Sequence, residues 1–177
     1  EVSNYGKGIS HEIDIAYHGS PTRGINFFPE RDQVYTVFST SQWMVCKDTP
    51  DDKATLRLRL ITPSKLKVIA SGEMGTSTSK GANVISEWNQ TIASPTYTFG
   101  FAVGPFAEVT DSRKALRLRY LSSEHSQTEL TQIFAETKNM IQFFEERSGV
   151  PYPGKSYTQV LAQGAVSQEM AGFAVIR

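Results

Sequence analysis

The chain has 177 residues, 39% hydrophobic and 20% charged, with ten Phe, seven Tyr and two Trp, a composition that excludes disordered and fibrous classes. Eighteen basic residues balance eighteen acidic ones and no basic block stands out, so nucleic acid is excluded as an expected partner. No apolar run reaches the roughly 18 residues that span a bilayer, the amino end carries no charged-then-apolar leader, and the single cysteine, Cys46, can neither close an internal disulfide nor build a cysteine zinc site. A soluble chain with no transmembrane segment is expected. Because it starts at Glu1, removal of a leader leaves periplasmic, secreted and cytoplasmic locations all open.

In chain order, the first periodic stretch is HEIDIAYH, residues 11–18, where Ile13, Ile15 and Tyr17 alternate with Glu12, Asp14 and Ala16, the period of a half-buried strand. Short strands are predicted next over 25–28, 34–38, 55–61, 66–70, 96–103 and 116–120, separated by turn-rich segments such as GSPTRG, KDTPDD and GEMGTSTSKGAN. In 55–61 the Leu residues face one way and Thr55, Arg57 and Arg59 the other, as expected of a sheet with one face on a core. Repeated short strands predict a mainly β, antiparallel sandwich. At Ser122 the texture changes. Ser126 and Glu129 form a capping box, and Leu130, Ile133, Phe134, Thr137, Ile141 and Phe144 recur at helical spacing up to Gly149, which predicts one long helix over 126–148. Strands are expected again over 157–162 and 173–176. A sheet followed by helix and strand places a domain boundary near residue 121: a β-domain over 1–121 and the start of a mixed domain over 122–177.

Few segments carry a chemical signal. His11 and Glu12 suggest H-E-x-x-H, but the second His must lie four residues on to share a helix face, and Ile15 stands there, with His18 too late. His125 stands alone before the helix and reads as a solvated residue. No zinc site, G-x-S-x-G elbow or phosphate-cradling Gly loop can be assembled from these residues. Cys46 reads as a small buried residue beside Trp43. As a nucleophile it would need a neighbour that lowers its pKa, and the adjacent sequence offers none.

Longer-range spacing is more informative. WMVCKDTPDDKATLRLRL, residues 43–60, resembles the W-x-P-C-x-D-x-P-x-x-K-A segment that closes a hairpin in the amino-terminal domain of the aminopeptidase N family of zinc metallopeptidases, gluzincins related to leukotriene A hydrolase. Three further stretches match that family in order. IDIAYHGSPTRGINFF resembles its strand ending in Y-x-G with a following G-[IL]-x-F. SPTYTFGFAVGPFAEV resembles its P-x-Y-L-x-x-F-x-V-G-x-F segment, and FAETKNMIQFFEERSGVPYPGKSYTQVLAQ resembles the helix and strand that open its catalytic domain.

The resemblance implies a saddle-like amino-terminal β-sandwich followed by the start of a thermolysin-like α+β domain. The family's G-x-M-E-N loop, whose Glu binds the free amino terminus of a peptide substrate, falls on residues 166–176, with Glu169 on that Glu. Val166, Gln168 and Met170 replace the family's Gly, Met and Asn, and Ser39 falls where the family has a second, Gln or Glu, contact to the amine. Substrate-binding residues implied are thus Glu169, Gln168, Met170 and Ser39; the other reading of Glu169 is a surface carboxylate near a strand. The family's H-E-x-x-H, its third zinc ligand and its catalytic Tyr would follow Arg177. The chain is therefore expected to hold no metal ligand or catalytic residue, to depend on the remainder of the catalytic domain, and to be inactive alone, while zinc and peptide substrate belong to the full-length parent. Two rivals remain: a non-catalytic scaffold of the same lineage, favoured by the altered loop, and a free-standing glycan- or peptide-binding sandwich using Trp88 and Tyr97 as exposed aromatics.

Overall fold

Runs of alternating apolar and polar side chains build most of the chain, each burying one face of a strand. The computed structural model describes residues 11–163 and 166–177; the amino end over 1–10 lies outside the described residues. The elements are β1 (Gly24–Phe28), β2 (Gln33–Val37), β3 (Lys53–Pro63), β4 (Lys67–Ala70), β5 (Glu73–Lys80), β6 (Asn83–Pro95), β7 (Phe101–Gly104), β8 (Ala107–Arg113), β9 (Leu116–Ser122), α1 (Gln127–Ile133), α2 (Thr137–Ser148), β10 (Ser156–Leu161), β11 (Gln168–Met170) and β12 (Phe173–Ile176). They form three sheets among the described residues. Two are antiparallel, in orders β1-β2-β7-β4 and β3-β6-β5; the third, β11-β12-β10-β9-β8, is mixed, with β10 parallel to both β9 and β12.

One core draws on all three sheets: Tyr35, Ile69 and Ala102 from the first, Trp88 from the second, Leu121, Val160 and Phe173 from the third. A second cluster, with Leu118, Tyr120, Leu130 and Phe134, lies between the mixed sheet and the helices. The mixed sheet therefore buries both faces. Residue 121 lies in β9, which pairs along its length with β10, so strands on either side of that position share a sheet.

The mainly β architecture matches the sequence expectation, and so do the capping box, in which Ser126 accepts from the Glu129 N–H while the Glu129 carboxylate accepts from the Ser126 N–H, and the left-handed Gly149 that ends α2. Two expectations are corrected and one is refined. HEIDIAYH forms no strand: residues 11–20 lack regular structure, and Ile13, Ile15 and Tyr17 are 64%, 56% and 60% exposed. Alternation marks which face a strand would bury, but a strand also requires a partner backbone, and no described strand pairs with this one; the Tyr17 hydroxyl ties it to the Trp43 carbonyl at 2.8 Å. The long helix is bent, its two parts α1 and α2 meeting at a break over residues 134–136. The chain tightens between them through the i→i−3 bonds Ala135 N–H to Gln132 and Thr137 N–H to Phe134, and α2 is anchored at its start by the buried Thr137 hydroxyl, which donates to Gln159 on β10 at 2.7 Å. The turn-rich GEMGTSTSKGAN instead supplies β5, a sheet-edge strand almost wholly exposed, with a bulge between Met74 and Ser77.

Charge also joins the sheets. Glu108 on β8 accepts from Arg119 on β9 at 2.7 Å and from Lys67 on β4 at 3.1 Å, linking the mixed sheet to the first. Partial burial pushes the Glu108 carboxyl up, but the Arg119 guanidinium and Lys67 ammonium outweigh it and hold the carboxyl below the usual carboxylate range. A carboxyl with a depressed folded pKa contributes stability that is present above its unfolded value, about 4.3, and is lost as the pH falls through the folded value. Glu108→Gln is thus expected to cost about 1 kcal/mol at pH 7, discounted for the water that reaches the pair. Urea titrations at pH 7 and pH 3 check this: the gap between variant and wild type should shrink at pH 3.

Candidate functional site

The residues singled out from sequence converge on one place. After β2 the chain makes two consecutive left-handed residues, Phe38 (φ 47°) and Ser39 (φ 45°), then a short 3-10 turn over Thr40–Gln42. Neither is Gly, and left-handed backbone at two successive bulky positions is strained unless its surroundings hold it. Gln168 on β11 does so: its side chain is 3% exposed, its Oε1 accepts from the Phe38 N–H in a short bond, and its Nε2 donates to the Tyr97 carbonyl at 3.2 Å. The same Tyr97 carbonyl accepts from the buried Thr40 hydroxyl at 3.3 Å. One amide thus fastens β11 to the 38–39 turn and to the 96–98 turn.

Period two along β11 places Met170 inward with Gln168. Met170 is 7% exposed, its sulfur 3.8 Å from the Thr36 hydroxyl, and it packs where Gly100 leaves space that a Cβ would take. Glu169, between them, points the other way. It is exposed, opposite Ala174 on β12, and its carboxylate has no protein partner among the described residues. The β11–β12 turn is fixed on both sides, the Ala171 N–H donating to Thr98 at 3.0 Å and the Gly72 N–H to the Ala171 carbonyl at 3.1 Å. Beside it opens a cavity of about 570 Å³ whose lining includes Met170, Gly172, Glu73, Gln90 and Tyr152. Glu73 braces its rim, accepting from the Ser156 N–H at 2.9 Å and the Lys155 N–H at 3.2 Å.

The structure therefore brings Ser39, Gln168 and Met170 into one assembly and leaves the Glu169 carboxylate without a partner among the described residues, on a strand whose neighbours are locked. Sequence reading missed the roles of Phe38, Thr40 and Gly100. No Gly or Asn marks the left-handed pair, so the FSTS stretch reads as ordinary strand end; the only signal was a Gly inside a predicted strand, which often marks a close approach.

The other candidates separate. Trp88, expected as an exposed aromatic, is 3% exposed, because β6 turns it into the shared core opposite Leu58; Tyr97 is half-buried. Cys46, expected buried, is half-buried at the surface turn, where its thiol donates weakly to Asp48 at 3.6 Å; burial and the Asp48 charge push the thiol up to about 11, away from nucleophile chemistry. Trp43 packs edge-on against Phe101 with ring centres 5.4 Å apart. His125 is half-buried at 3.5 Å from the Ser122 hydroxyl. Among the described residues no three His, Cys, Asp or Glu side chains cluster as metal ligands.

Residues 31–98 match the model of the peptidase M1 N-terminal domain. Leucine aminopeptidase 2 of Ajellomyces capsulatus (strain NAm1 / WU24) is 40% identical over 67 residues, which are 36% of this chain and 10% of that protein. Among solved structures, an M1 zinc metallopeptidase from Deinococcus radiodurans superimposes with a TM-score of 0.71 at 24% identity, covering 88% of this chain and 39% of that one. A mutant M1 zinc metallopeptidase from the same organism, bound to a Tyr-Ser-Ala substrate, gives 0.71 at 25% identity over 82% and 35% of the two chains. The chain thus spans a tenth of the fungal relative and under two-fifths of the solved chains. Family match, relative and fold agree that the chain is similar to the amino-terminal region of M1 zinc metallopeptidases.

Proposed function

We propose that this chain is part of a zinc-dependent aminopeptidase that removes residues from the free amino end of peptides, and that it supplies a portion of the substrate-binding wall. In this reading residues 1–121 are the amino-terminal β-domain and residues 122–177 open the catalytic domain. The zinc and the groups acting on the scissile bond come from the remainder of that domain, and the chain alone is inactive. Glu169 is the anchor for the substrate ammonium; Gln168 and Met170 hold its strand, and Ser39 contributes an uncharged wall.

The observation that carries the reading is the exposed Glu169 carboxylate, unpaired among the described residues, on a strand fixed through both neighbouring residues. A carboxylate is the group an ammonium requires, and charge-assisted hydrogen bonds are the strong kind. Preorganisation matters because a pre-fixed carboxylate loses little side-chain and backbone freedom on binding. The peptide bound by the Deinococcus relative is consistent with this substrate class. A second reading, a non-catalytic scaffold, is favoured by Gln168 and Met170, whose side chains are both committed to packing within the chain.

The parent's sequence past Arg177 separates the two: H-E-x-x-H with a downstream Glu supports the enzyme, and its absence leaves the scaffold. In an active parent, Glu169→Gln is expected to lower kcat/KM on leucyl p-nitroanilide about 10- to 100-fold, the worth of a charge-assisted hydrogen bond; an unchanged value would remove Glu169 from the site. Gln168→Leu should cost about 2 kcal/mol by stranding the Phe38 N–H and the Tyr97 carbonyl. Thermal unfolding reads that loss, and faster hydrogen exchange at the Phe38 amide locates it.

A further inference from the structure

Helix α2 turns one side to the mixed sheet. Thr137, Ile141 and Glu145 recur every four residues along it. The buried Thr137 bonds to Gln159, Ile141 packs on the second core cluster, and Glu145 accepts from Arg113 at 2.6 Å and from the Tyr152 N–H at 2.9 Å. A second row beside this one is apolar and open to water. Met140, Phe143 and Phe144 are 49%, 51% and 66% exposed, the two rings meeting edge to face at 5.4 Å. Single exposed apolar residues are ordinary, whereas large ones at adjoining positions mark an interaction surface. A charge closes the row at each end. Glu136 stands one turn before Met140 and Arg147 one turn after Phe143, on the same side of the helix. Both are exposed and neither forms an ion pair among the described residues; Glu136 accepts from the Asn139 amide at 2.8 Å, and the Arg147 guanidinium lies 5.4 Å from the Phe143 ring centre.

We propose that this row is the interface of a two-fold dimer, in which α2 of one copy lies antiparallel on α2 of a second copy of this chain. A two-fold interface must be complementary to itself, and this row is. With the axis level with the Ile141–Gln142 peptide, Met140 faces Phe143 of the second copy and Phe143 faces its Met140, a sulfur–aromatic contact made twice. The same operation sets Glu136 against Arg147 of the second copy, also twice, so both charges are paired. A parallel arrangement would instead set Glu136 beside Glu136 and Arg147 beside Arg147, and like-charge contacts oppose it. One Arg against one Glu also suits a protein surface better than an anionic lipid surface, which selects helices rich in Lys and Arg. The row is small against the roughly 1,200–2,000 Å² that stable interfaces bury, so a weak dimer is expected, with a Kd on the order of 100 µM.

The test is sedimentation equilibrium of the full chain over concentrations bracketing that value, with Glu136→Arg, Arg147→Glu and the double reversal. Wild type should pass from monomer to dimer and no further. Each single reversal creates two like-charge pairs and should weaken the dimer about tenfold or more; the double reversal restores both pairs with signs exchanged and should recover all but about threefold. Phe143→Glu should abolish association. These positions are exposed, so the fold is kept, and an unchanged thermal midpoint checks that. A chain monomeric throughout the range, association that continues past the dimer, single reversals without effect, or a double reversal as weak as the singles would each overturn the proposal. So would a longer parent that stays monomeric while shielding Phe143 and Phe144 from hydroxyl-radical footprinting, which gives the row to the remainder of the catalytic domain. None of these outcomes bears on Glu169, which lies on β11 and is read through kcat/KM.

Discussion

A single buried amide holds the candidate site in place. Gln168 gives its acceptor to the strained turn at Phe38–Ser39 and its donor to the turn at Tyr97, so three segments far apart in sequence meet on one side chain. Left-handed backbone at Phe38 and Ser39 is unfavourable by itself and persists because the fold around it is over-determined. Once the amide has fixed β11, strand geometry does the rest: with residues 168 and 170 turned inward, residue 169 faces outward. The orientation of Glu169 is thus a by-product of burying its neighbours.

The same economy governs the larger architecture. A core shared by three sheets makes no layer separable from the next, and the parallel pairing of β9 with β10 carries that continuity past residue 121. The helices between those strands form the crossover that parallel pairing demands, with Thr137 and Phe134 binding them to the sheet through a hydrogen bond to Gln159 and a ring stacked on Tyr120 at 4.9 Å.

How far these features could be read from sequence follows from what each depends on. Strands with one apolar face, such as Thr55–Ile61 within β3, were legible because alternation reports burial directly, and the helix start was legible because capping is local chemistry between Ser126 and Glu129. β5 was not, since a strand polar on both faces shows no period and its Ser, Thr and Gly suggest turns. HEIDIAYH failed in the opposite sense: its period is clean, but pairing is a property of two segments. Glu169 was found through family resemblance alone. The contacts that orient it, at Phe38, Tyr97 and Gly100, depend on tertiary neighbours that no local pattern encodes.

β5 also bears on how the sheets keep their alignment. A strand with no apolar face loses nothing by sliding along its neighbour, since a shift of one residue exchanges one solvated surface for another. Burial therefore cannot set the pairing of β5 with β6. The bulge between Met74 and Ser77 contributes, and Glu73 contributes more, because its carboxylate is fastened to the Lys155 and Ser156 amides outside its own sheet. The position of the most polar strand in the molecule is in this way measured from β10, and the loop ahead of β10 acts as the stop against which the hairpin is set.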